Sequence, residues 1–371
     1  MTDPRIDKLA DLLVDYCTGI KARQSVLLSG SSVAEPMLMA LHKKVLEKGA
    51  YPYMQIDFPN LKYQFLKYAN DDQLMHIPEP YQIVFEKFDA RIVLISESNT
   101  KQLNNIDPDR ISKRNQAFGG LLNLMLERTA RGEMHWVGSL FPTQAHAMDA
   151  NMSLEEYENF VYSACMPDLN DPMGYWMKVS ANQNRLVEWM KGRKTIHVIG
   201  KETDLRMNIE GRPFVNCDGK ENMPDGEIFT SPVENSMNGQ VYFSYPAIYL
   251  GHEVSGIRLW FENGKVVKAT AEKNEEFLQK TLDTDEGARY VGEWAIGTNE
   301  GIRQFTGEIL FDEKIGGSFH MAVGTGFPES GGLNRSAIHW DMICDMRSGG
   351  EIWVDDILFY KDGKFVVTPS D

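Results

Sequence analysis

In the segment SAIHWDMICDM, residues 336–346, His339 and Asp341 stand two positions apart in an otherwise mostly apolar run. Alternate side chains of an extended chain share a face, so the imidazole and the carboxylate point one way and Trp340 the other. Two chemistries fit such a pair: a hydrogen-bonded core histidine, or part of a metal site. Bare His-x-Asp is frequent, so the pair alone does not choose between them.

Four further residues of the same half bear on the choice. Glu227 follows a turn in NMPDGEIFTSP, at the start of a strand-like run. Glu293 lies in the Gly-flanked apolar run YVGEWAIGTN, and LFDEKIGGSFHMAVG supplies Glu313 and, seven residues later, His320. Singly, each has a plain structural explanation: a turn cap, an arginine partner, a backbone carbonyl bonded by an imidazole. Together they are two imidazoles and four carboxylates in half-buried contexts with no basic run nearby to neutralise them. Buried carboxylates without partners are costly, and two divalent cations would balance four of them. The set as a whole therefore favours metal.

Cysteine adds nothing to that set. Cys17, Cys165, Cys217 and Cys344 are scattered without a CxxC pair, which fits neither a zinc knuckle nor a disulfide framework. They read as reduced, buried thiols, leaving His, Asp and Glu as ligands. Mixed imidazole and carboxylate ligation suits Zn²⁺, Co²⁺ or Mn²⁺. The six other histidines have no matched acidic spacing and read as structural or solvated. Other catalytic signatures are missing: there is no GxSxG elbow, no P-loop and no HExxH, since GHEVSG lacks the second histidine. LLSGSSVAE reads as a loop and helix cap rather than a phosphate cradle.

The elements that must position these residues change character along the chain. SVLLSG, YPYMQID and ARIVLISES read as short strands alternating with helical runs such as EPMLMALHKKVLEKG and residues 107–131. Strands alternating with helices imply a mostly parallel sheet covered on both faces. Helical pattern continues from about 153 to 192, opening on a capping-box-like Ser153-x-x-Glu156. Beyond KGRKTIHVIG the segments are short, β-rich and punctuated by Gly, Asn and Asp, with Asn263-Gly264 a hairpin turn signal. The expected architecture is an N-terminal α/β domain over 1–192 with a mostly parallel sheet, then a β-rich α+β catalytic domain over 193–371.

A formal charge of −15 over 371 residues argues against nucleic acid or an anionic membrane as partner. No apolar run approaches the roughly 18 residues of a spanning helix. MTDPRIDKLADLL reads as an amphipathic helix rather than an export signal, so a cytoplasmic protein is expected.

CDGKENMPDGEIFTSPVENSMNGQVYFSYPA, EGARYVGEWAIGTN, LFDEKIGGSFHMAVG and NRSAIHWDMICDM resemble, in order and spacing, the aminopeptidase T / aminopeptidase S family of metallopeptidases. The N-terminal VLLSGSSVAEPMLMALHKKVLEKGAYP also fits that family. The resemblance implies a cytoplasmic homodimer that removes N-terminal residues from short peptides using two divalent metals, typically zinc, cobalt or manganese. It places ligands at Glu227, Glu293, His320, His339 and Asp341, with Glu313 close to the metals. Such a centre activates a shared water, with Glu293 bridging and Glu293 or Glu313 as general base. Phe327, in GTGFPES, stands where the family usually keeps a tyrosine. That departure leaves open an alternative: a metal-binding member of altered activity, such as an amidase on another substrate or a peptide-binding dimer.

Overall fold

The computed structural model describes residues 3–367, which form two compact units. One runs to Met173 and takes in Gly219–Pro224; the other comprises Gly174–Asp218 and the chain from Asp225 onward.

The first unit is built on a five-stranded sheet in the order Tyr51–Asp57, Ser25–Ser31, Ala90–Ile95, His135–Leu140, Asn222–Met223, with every pairing parallel. Leu27 on one face packs with Val84 and Phe85 of helix Glu79–Lys87 and with Leu121 and Met125 of helix Pro108–Ala130. Gly30, on the opposite face, looks toward Leu38 of helix Glu35–Glu47. Helices thus cover both faces, which is why Val26, Leu27 and Leu28 of strand Ser25–Ser31 are all buried without alternation. Helix Leu154–Cys165 opens on the expected capping box, Ser153 and Glu156 each bonding the other's backbone N–H. Among the described residues no helix is long and apolar enough to cross a membrane.

The second unit is antiparallel. Its eight-stranded sheet includes Thr195–Gly200, Thr203–Asn208, Asn238–Tyr242, Arg258–Glu262 and Glu351–Val354. The turn between Arg258–Glu262 and Lys265–Thr270 is the expected Asn-Gly hairpin, with φ of 48° at Asn263 and 83° at Gly264. A five-stranded sheet in the order His339–Asp345, Ser318–Gly324, Val291–Gly297, Glu227–Thr230, Val215–Cys217 provides the second layer. One apolar core joins the layers: Val198, Leu205, Val241 and Leu259 from the larger sheet meet Trp294, Phe319, Met321 and Trp340 from the smaller.

The sequence puts the change of character near residue 192; the contacts divide the chain at 173 instead. Leu186 and Met190 explain the difference, because helix Pro172–Met190 buries both in the β-rich core. Residues 219–224 return to the first unit as the short edge strand of its parallel sheet.

Candidate metal centre

The five-stranded sheet has one greasy face and one polar face, and pairing register decides which residues meet. Trp294, Ile296, Phe319, Met321, Trp340 and Met342 turn into the core. The alternate residues Glu293, His320, His339 and Asp341 therefore share the other face. Ala322 pairs with Glu293 on one side and with Asp341 on the other. His320 lies two residues before Ala322, opposite Ala295, and Gly297 pairs with Glu227 on the next strand. Small residues at Ala295 and Ala322 leave room for long side chains beside them, while Gly297 lets the backbone of Lys314 and Ile315 approach closely.

A bulge sets the position of Glu293, since register shifts between Val291 and Glu293. Gly292 sits in that bulge, where an added Cβ would lie 2.1 Å from the carbonyl oxygen of Thr325. The same Thr325 carbonyl is 2.9 Å from His339 Nδ1, so the protonated Nδ1 donates to it and Nε2 is directed into the cluster.

All six residues singled out in the sequence converge. His339 Nε2 lies 3.2 Å from Glu293 and 3.6 Å from Asp341. His320 Nε2 lies 3.4 Å from Glu227 and 3.8 Å from Glu293. Glu293 thus spans both imidazoles. Donor atoms of Glu293, His339 and Asp341 fall within 4.8 Å of one another, as do those of Glu313, His320 and Asp341. Asp341 belongs to both groups. Glu313 follows the short helix Ile309–Asp312 and is the carboxylate reaching in from a loop rather than a strand. Phe327 stands above the centre, its ring 4.9 Å from that of His339 and 5.7 Å from that of Phe229.

One residue escaped the sequence reading. Lys314 is fully buried, and its ammonium is ion-paired with Glu313 and lies 3.8 Å from Glu227 Oε1. The carboxylates therefore do have one fixed cation, a single lysine where the sequence has no basic run. Its only signal in the sequence is its position directly after Glu313 in LFDEKIGG. A third group of donor atoms, Cys217, Asp225 and Glu227, also comes together. Burial and then the two carboxylates push the Cys217 thiol well above its ordinary pKa.

Electrostatically the centre is a trap for positive charge. Burial works against the charged form of His320, but Glu293 and Glu227 outweigh it and raise the imidazole to about 9. Burial likewise opposes His339, and Asp341 with Glu293 lifts it to about 10. Glu293 would rise on burial alone, yet the two imidazoles bring it down to about 2. Burial drives Asp341 up to about 6 and Glu227 up to about 8. Glu227 and His320 contend for one proton, and it belongs on the imidazole, because a neutral Glu227 would forgo its attraction to both His320 and Lys314.

A cation fits this donor set. Glu227 Oε2 and Asp341 Oδ1 are buried and have no hydrogen-bond partner among the described residues. Leaving a buried acceptor unsatisfied costs on the order of 1–3 kcal/mol, more when it is charged. Both oxygens point where a ligand atom would, beside an imidazole Nε2.

Residues 2–365 match the thermophilic metalloprotease (M29) family. Aminopeptidase AmpS of Bacillus subtilis is 25% identical over 382 residues, covering 92% of this chain and 93% of its own. The structure of wild-type AmpT from Thermus thermophilus superposes with a TM-score of 0.84 at 23% identity, covering 98% of this chain and 99% of that one. A 2,5-dihydroxypyridine dioxygenase from Pseudomonas putida shares the fold at a TM-score of 0.63 and 14% identity, covering 98% and 97%. The fold thus hosts more than one chemistry, and the site must be argued from its residues. With its family matched along nearly its whole length, the chain belongs to the thermophilic metalloproteases of family M29, metal-dependent hydrolases of peptides.

Proposed function

We propose that this protein is an aminopeptidase acting on short peptides with a free N-terminus, through two divalent cations held by Glu227, Glu293, His320, His339 and Asp341 with Glu313 beside them. The observation that supports it best is the pair of donor groups that overlap at Asp341, one with Glu293 and His339, the other with Glu313 and His320. When bound, such cations lower the pKa of a water and polarise a carbonyl oxygen.

The chain's own residues do the rest. Thr325 holds the His339 ring by its Nδ1, which leaves Nε2 as the atom that gives up its proton to become a ligand. Glu293, in contact with both imidazoles, is committed to holding the centre together. Glu313, less buried than Glu227 or Glu293, is the carboxylate left to take the proton of the attacking water. Phe327 offers no phenol, so it contributes an apolar wall but no hydrogen bond to developing charge.

Hydrolysis of leucine p-nitroanilide by EDTA-stripped protein, before and after Co²⁺ or Zn²⁺, tests this reading. Activity restored by metal and absent on the N-acetyl substrate supports it; equal activity on the blocked substrate rules out an aminopeptidase. The same reading includes a cytoplasmic homodimer, checked by sedimentation at twice the chain mass. Phe327 favours a second reading, an amidase on another substrate, which a panel of amino-acid amides would separate by turning over where the anilide does not.

A further inference from the structure

Lys314 divides the centre into two unequal halves. On the His339 side, Glu293 reaches both imidazoles and Asp341 belongs to both donor groups, but among the described residues neither carboxylate is paired with an ammonium. On the His320 side, Glu227 and Glu313 are two carboxylates already sharing the ammonium of Lys314. Lys314 is 0% exposed, so no water screens that charge and the side chain has no solvent to retreat into. Its partners on Glu227 and Glu313 are both Oε1 atoms, while Glu227 Oε2 remains without a hydrogen-bond partner beside His320. The lysine therefore leaves a ligand oxygen free on that side but lowers the negative charge that would attract a cation to it.

We infer that Lys314 makes the two cation positions unequal: an ion beside Glu293, His339 and Asp341 is held tightly, and an ion beside Glu227 and His320 is held weakly because the buried ammonium opposes it. The inference rests on the two-cation reading above and adds an order of loading and the residue that sets it. In this chain the second ion is exchangeable, and the concentration of free divalent metal becomes a control on the fully loaded state.

Equilibrium dialysis of the metal-stripped protein against buffered Co²⁺ reads this without any activity measurement, with visible absorption reporting ligation. Two equivalents are expected in two steps, the second needing at least about tenfold more free cobalt. Lys314→Met is expected to move the second step at least about tenfold toward lower cobalt and leave the first in place. Lys314→Gln, which keeps hydrogen-bonding capacity near the two glutamates, runs in parallel in case the methionine variant does not fold. Two equivalents taken up by the wild-type protein in one step overturn the inference, whatever the variants do. So does a second step that stays put or weakens in the folded variants, since the lysine would then be orienting its two glutamates rather than opposing the ion. A single equivalent at saturation in wild type and variants alike removes the two-cation reading itself, a result distinct from both.

Discussion

Glu293 and Asp341 stand opposite the same residue, Ala322, one on each neighbouring strand and both on the polar face of the sheet. The methyl of Ala322 is thus the floor between the two carboxylates. A leucine there would fill the space in which they converge, and overpacking of this kind costs about 1–3 kcal/mol. Ala322→Leu is therefore expected to fold with a lowered melting temperature and to lose at least about tenfold in cobalt affinity, since ligand positions must hold to within roughly 0.5 Å. Unchanged cobalt binding in that variant would mean that the two carboxylates do not meet over Ala322.

The division of labour between the glutamates separates two variants. Glu293 contacts both imidazoles, so Glu293→Gln should lose bound metal and hydrolysis together. Glu313 approaches from a loop, and Glu313→Gln should keep at least the tight metal equivalent while hydrolysis falls about 10²–10⁴-fold, the range for removal of a general base. Metal analysis beside leucine p-nitroanilide rates decides it. If Glu313→Gln keeps wild-type rates, the proton goes elsewhere.

How much of this was legible in the sequence follows from what kind of fact each element is. His339 and Asp341 are two apart on a strand, and period-2 geometry alone places them on one face. The Asn263-Gly264 turn and the Ser153 capping box are local chemistry and were readable for the same reason. Convergence of Glu227 with His320 is not local, because it depends on the register that sets Gly297 against Glu227. Lys314 was missed because a single buried cation leaves no compositional trace. The unit division at 173 escaped because helix Pro172–Met190 has the same periodicity whichever core it joins.

Proton competition predicts the pH dependence of metal uptake. Both imidazoles must lose their protons to act as ligands, and their surroundings hold those protons up to about 9 at His320 and about 10 at His339. Below those values each ion that takes one imidazole displaces one proton, so each binding step should strengthen about tenfold per pH unit. For histidines of ordinary pKa, near 6.5, the rise would end around neutrality. Here it should continue from pH 7 to 8.5. Cobalt isotherms at pH 6, 7 and 8.5 distinguish the two, and a plateau above pH 7 would show that the carboxylates do not raise the imidazoles.

Phe327 gives the last test. Its ring lies 4.9 Å from that of His339 and is propped edge-on by Phe229, so a hydroxyl added at Cζ would extend a side chain whose direction is already fixed. If peptide hydrolysis here is limited by poor stabilisation of the developing oxyanion, Phe327→Tyr supplies a donor at little packing cost. A well-placed donor of that kind is worth on the order of 10²-fold in kcat, so even an imperfectly aimed phenol should raise the rate about tenfold. The gain should appear in kcat rather than KM, because the hydrogen bond strengthens only as charge develops. An unchanged or slower variant with normal metal content would mean that another group already faces the oxyanion, or that the substrate needs no such donor and the pocket is built for a different amide.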